Sequence, residues 1–184
     1  MSARVDNTRQ YLLANDTVSK QDKEYALNFC KKTEYLEQLK CALINELHET
    51  VASGYGDVNS NICFVFESEA AFQLLKPVLQ DMLETVKLNF WDVYITFVNK
   101  TQTEYANKYG FLMHEVHAVA PKVLYVIGDT DESYNTLNRA FAFAKVNHPS
   151  QKAFRVTPQL LCASDEQNRK ELWKMFRYLV NYKE

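Results

Sequence analysis

Apolar positions along this chain change period several times, and each change marks an expected element. From about Lys20 to Ala52 they recur at helical spacing (Tyr25, Leu27, Phe29, then Tyr35, Leu36, Leu39, Leu43, Leu47, Val51), predicting a long helix. Ser53-Gly54-Tyr55-Gly56 is expected to stop it, with glycine as C-cap. The near-continuous apolar run Asn61-Ile62-Cys63-Phe64-Val65-Phe66 predicts a strand covered on both faces, as in a parallel sheet. A helix is expected from about Glu69 to Leu88, started or kinked by Pro77. Trp91–Val98, rich in β-branched and aromatic residues, reads as a second strand. Glu104–Val119 reads as a helix closed by Pro121, and Lys122–Gly128 as a third strand. A helix over Ser133–Ala144, a short strand over Phe154–Val156 and a last helix over Asp165–Tyr182 complete the pattern. Strands alternating with helices imply crossover units, hence an α/β fold: a mostly parallel sheet between helical layers.

With 184 residues the chain fits one domain plus an appendage. The expected division is an N-terminal arm and helical extension over 1–56, its first twenty residues a loose polar arm, and an α/β domain over 57–184. Eleven Tyr, eleven Phe and two Trp are enough to build a core, which excludes global disorder. Four Gly and four Pro are too few for a many-stranded sandwich or a glycine-rich phosphate cradle. No apolar run reaches the length of a membrane span, and the start MSARVDNTRQ has no apolar signal core, so an intracellular, cytoplasmic chain is expected. Cys30, Cys41, Cys63 and Cys162 form no C-x-x-C pair and are expected to be reduced, buried and free of metal.

The net charge of −2 conceals an asymmetry. Residues 139–184 carry nine Lys or Arg against four acids, leaving −7 on the rest. A basic end on an acidic body reads either as a nucleic-acid footprint or as a solvated basic helix. Its candidate nucleic-acid contacts are Arg155, Arg169, Lys170, Lys174 and Arg177. Trp173, among Leu172, Met175, Phe176 and Leu179, is read as a wedge holding the last helix to the sheet. His114-Glu115-Val116-His117 is one residue short of a zincin motif, has no third ligand adjacent, and reads as helix surface. No P-loop, G-x-S-x-G or Cys/His nucleophile pattern occurs, so no cofactor is expected. Ligands of open α/β sheets bind beyond the strands' carboxyl ends. The segments there are Glu67-Ser68-Glu69-Ala70, Asn99-Lys100-Thr101, Asp129-Thr130-Asp131 and Thr157-Pro158-Gln159, with Ser68, Thr130, Asp131 and Ser164/Asp165 as helix caps.

Four segments in order (ICFVFESEA, LLKPVLQDMLETVKLNFWDVYITFVNK, FLMHEVHAVAPKVLYVIGD and VTPQLLCASDEQNRKELWKMFRYL) resemble the uracil-DNA glycosylase superfamily, in its family-four style, over about residues 61–182. The resemblance implies a three-layer α/β/α fold. It departs at the catalytic motifs. Phe66-Glu67-Ser68-Glu69-Ala70 lacks the family's Gly- and Pro-bearing loop, and Thr157-Pro158 stands where the family has His-Pro. His148-Pro149-Ser150 lies nine residues too early, and the family's iron–sulfur cysteines are missing. The tail, with Arg169-Lys170-Glu171-Leu172-Trp173, also resembles the non-catalytic psi-subunit family of bacterial DNA polymerase III. These likenesses imply a non-catalytic replication or repair accessory protein that binds DNA or a replication protein, on an eroded glycosylase site. The alternatives are a divergent uracil-DNA glycosylase, using Glu67 for water and either Asn99 or the polar 157–159 loop, Thr157 included, for the base, and an interaction module without DNA contact.

Overall fold

A computed structural model of the chain describes residues 19–103, 105–129, 131–144 and 152–181. Most of the expected loose arm, His148-Pro149-Ser150 and Thr130 lie outside them. Ser19 opens helix α1 (Lys20–Leu47), its hydroxyl accepting from the Asp22 amide at 3.1 Å. The helix stops at Leu47, five residues before Ala52, because His48 adopts the left-handed conformation (φ 55°) and donates its amide to the Ile44 carbonyl. Gly54 and Gly56 therefore do not cap it. They belong to an extended segment that ends in the two-residue strand β1 (Tyr55–Gly56), absent from the sequence expectation.

The sheet continues with β2 (Ile62–Ser68), β3 (Tyr94–Asn99), β4 (Val123–Ile127) and β5 (Lys152–Val156), in spatial order β1-β3-β2-β4-β5. The pairs β2–β3, β2–β4 and β4–β5 are parallel, and β1 runs antiparallel to β3, so the sheet is mixed. Each central strand is buried on both faces, as its unbroken apolar run requires. One face presents Phe64, Phe66, Ile95, Phe97, Tyr125 and Val156 to helices α2 (Glu69–Thr85) and α6 (Glu166–Asn181). The other presents Cys63, Val65, Tyr94, Val98, Leu124 and Val126 to α3 (Lys108–Val119) and to Leu137 of α4 (Asp131–Ala144). Helix α1 lies outside α3, where Leu36 joins that second core and Lys32 donates to the Val58 and Val119 carbonyls. A one-turn helix, α5 (Pro158–Leu161), precedes α6 and was not expected.

Several local expectations are corrected. Pro77 sits within α2, eight residues past Glu69, and so does not start the helix. Strand β3 begins at Tyr94, leaving Trp91 exposed in the preceding turn, and α3 begins at Lys108. Cys30 and Cys63 are buried, whereas Cys41 and Cys162 are exposed. Trp173 is not a wedge. Leu172, Phe176 and Leu179 bury α6 against the sheet, and Trp173, about 100° from Leu172 on the helix, is 38% exposed.

An aromatic column seats α6. Tyr125 stacks on Phe64, Phe154 and Phe176 at 5.0, 5.5 and 4.6 Å, and Phe154 stacks on Tyr178 at 5.2 Å. The Tyr125 hydroxyl donates to the Met175 carbonyl at 3.0 Å, satisfying a buried polar group and fixing the helix's position.

Candidate functional site

Strands β2 and β4 are neighbours whose chains leave in opposite directions, toward β3 and toward β5. This switch point is the usual place for a ligand in an open α/β sheet. Glu67, near the end of β2, accepts from Asn99 Nδ2 at 3.2 Å and from Ser133 Oγ at 3.3 Å. Tyr109 lies 3.2 Å from the same serine hydroxyl. The amide of Asn99 must face Glu67, since its carbonyl would repel the carboxylate, and Asn99 Oδ1 is left buried without a partner. Thus Glu67 and Asn99 are brought into hydrogen-bond contact at this strand end. Thr157 is occupied otherwise: its hydroxyl caps α5, accepting from the Leu160 amide at 3.2 Å. Ser68 likewise caps α2 through the Ala71 amide, and Asp165 accepts from the Asn168 amide at the start of α6.

The basic candidates divide. Arg155 is partly covered at the sheet end, with Nη1 paired to Asp131 and Nη2 donating to the Asp129 carbonyl at 2.6 Å. Arg169, Lys170, Lys174 and Arg177 are all exposed on α6. Lys170 pairs with Glu166 one turn back, and Arg169 Nε reaches the Ala163 carbonyl at 3.5 Å. Arg177 donates to the Tyr178 hydroxyl at 3.1 Å and lies over its ring. Lys152 on β5, counted in the basic end but not singled out there, donates to the same hydroxyl at 2.7 Å and also covers the ring. Together these cations hold the Tyr178 phenol below its usual pKa, the Lys152 hydrogen bond being the larger cause.

Sequence reasoning missed a third cluster. Beneath α1, Glu115 accepts from the hydroxyls of Tyr94 at 2.7 Å and Thr96 at 2.6 Å and forms an ion pair with Lys100. Lys100 also donates to Thr96 at 2.9 Å. Burial and the Glu115 charge push the Tyr94 phenol far above its usual pKa. Glu115 belongs to the H-E-x-H segment, but its carboxylate is turned inward while His114 and His117 are exposed. No metal-binding group of three His, Cys, Asp or Glu occurs among the described residues. A cavity of about 270 Å³ lies over this cluster, walled by Phe29, Leu36, Leu43 and Val51. A cleft of about 500 Å³ runs between α2 and Trp91.

No protein-family model matches the chain, and a search of curated proteins found no match. Among the described residues no helix is long and apolar enough to cross a membrane.

Proposed function

We propose that this chain is a non-catalytic accessory protein of DNA replication or repair, on a uracil-DNA-glycosylase-like fold, and that it holds nucleic acid by the outer face of α6. The observation that carries the reading is the row Arg169, Lys170, Lys174 and Arg177, all solvent-facing on one rigidly seated helix. Their partners are weak ones: an exposed ion pair one helix turn apart is worth about 0.3–0.5 kcal/mol and opens readily toward a phosphate. Arg155 is left out of this set, because its guanidinium serves Asp131 and Asp129.

Phosphate-driven binding releases counterions, so the log of affinity falls linearly with log salt, by about 0.7–0.9 per contact. With three or four contacts, anisotropy titrations of a labelled 20-nucleotide DNA between about 50 and 200 mM salt are expected to give a slope of about −2 to −4. Reversing three charges (Arg169→Glu, Lys174→Glu, Arg177→Glu) should abolish binding while leaving the melting temperature in place. Salt-independent binding, or full affinity in the triple variant, overturns the reading.

The divergent-glycosylase reading keeps one supporting observation, the Glu67–Asn99 hydrogen bond at the switch point with Asn99 Oδ1 free.

A further inference from the structure

Helix α6 carries an exposed indole in the middle of its basic row. Trp173 stands between Arg169 and Arg177, one turn before and one turn after it, with Lys170 and Lys174 on the same side. By the helix rise the two arginines' backbone positions lie about 12 Å apart along the axis. The indole is not among the residues of the core cluster. Leu172, Phe176 and Leu179 are the α6 residues buried against the sheet, Trp173 is 38% exposed, and it enters no ring stack among the described residues. About two turns of α6 thus hold a flat apolar surface bracketed by cations. One turn beyond Lys174, Tyr178 adds a second ring under Lys152 and Arg177.

We propose that this face selects single-stranded over double-stranded nucleic acid, with a base stacked on Trp173 and the flanking phosphates held by Arg169 and Arg177. The inference rests on the nucleic-acid reading above and goes beyond it. Cations alone bind any polyanion, and duplex DNA carries the higher charge density. An exposed indole adds something only a single strand can use, because duplex bases are already stacked on each other. Every base has a π-face, so the contact tolerates any sequence. A protein partner would use Trp173 as an apolar anchor, but four cations around it would then need desolvation or acidic partners. The charge surrounding the ring favours the polyanion.

The test compares a fluorescein-labelled 20-nucleotide oligo(dT) with a mixed-sequence duplex of the same length, at about 100 mM salt. The wild-type chain is expected to bind the single strand at least about tenfold more tightly. Trp173→Ala should weaken single-strand binding roughly 5- to 150-fold, the range measured for one stacked base. The single-strand preference should collapse toward unity, and Trp173→Phe should retain most of it. In a Trp91→Phe background Trp173 is the chain's one remaining tryptophan, and its emission should be quenched by oligo(dT) and little changed by duplex. This readout decides the matter even if Trp173→Ala unfolds. Equal binding of both forms with a normal salt slope and no quenching overturns the single-strand inference and leaves the accessory reading standing. Binding to neither form overturns both, and quenching by an acidic protein but by no oligonucleotide moves the face to a protein partner.

Discussion

Lys100 and Glu115 are each only 6% exposed, fifteen positions apart in the chain and joined in space by the packing of α3 on β3. Two charges taken out of water are tolerated only with good geometry and extra hydrogen bonds, which Tyr94 and Thr96 supply. Removing one partner leaves the other buried and uncompensated. Glu115→Gln is therefore expected to lower the unfolding free energy by about 3–5 kcal/mol. Urea unfolding should read this as a lower midpoint at unchanged slope. Lys100→Met with Glu115→Leu should recover part of the loss, not all, because the Tyr94 and Thr96 hydroxyls then lack an acceptor. If Glu115→Gln unfolds at the wild-type midpoint, the pair is solvated in solution. Gly54 belongs to the same cluster: a Cβ there would collide with the Tyr94 hydroxyl and come within 2.6 Å of Glu115 Oε1. None of this was legible in the sequence. Glu115 looked like the middle of a histidine pair, and Lys100 like one residue of a strand-end loop; only the tertiary contact makes them one unit.

At the scale of elements, strands were easier to read than helix ends. Phe64, Phe66 and Tyr125 sit in apolar runs that only a sheet covered on both sides can bury, so β2 and β4 lay close to where the pattern placed them, while β3 starts three residues late at Tyr94 and the two-residue β1 left no apolar run to read. Helix ends depend on one residue's dihedral. With four glycines in the chain, α1 and α3 close on left-handed His48 and Ala120, and α2 through Lys87 with the Leu88 amide on the Leu83 carbonyl. No glycine signal marks these ends, which is why α1 was read five residues too long. Trp173 was misread for a related reason. Leu172, Phe176 and Leu179 line the buried stripe, and Trp173 stands at its edge, about 60° from Phe176 and about 100° from Leu172, with 38% of its surface exposed. Pro77 is exposed within α2 and removes one amide donor without contributing to the core. Pro77→Ala is expected to stabilise the chain by up to about 3 kcal/mol, read as a higher denaturation midpoint. A drop in stability would mean that the helix is shaped around the proline and that its neighbours depend on that shape.

The whole molecule joins an α/β sheet, whose layering follows from the alternation of strands and helices, to a strand-end site that the sequence described only in part. The pairing of Glu67 with Asn99 follows from topology: adjacent parallel strands bring their last residues together, and both lay at expected strand ends. What could not be read was the filling of the site. Ser133, from the first turn of α4, occupies the second Glu67 oxygen, and Thr157 turns its hydroxyl to its own helix. A base-excising enzyme needs a carboxylate free to orient water and a donor aimed at the leaving base anion, one such donor being worth roughly 10²–10³ in rate. Here the carboxylate is held by two side chains, and Thr157-Pro158 supplies no imidazole. The expected result is no multiple-turnover release of uracil from a uracil-containing oligonucleotide, single- or double-stranded. Turnover abolished by Glu67→Gln or Asn99→Ala would show instead that the hydrogen bonds around Glu67 open on binding, and the chain would then be a glycosylase. A further variant makes that alternative visible. Ser133→Ala frees one Glu67 oxygen without touching the basic face of α6. If oxygen occupancy alone silences the site, this variant gains excision; if the missing imidazole does, it stays silent and its DNA affinity and salt slope remain those of the wild type.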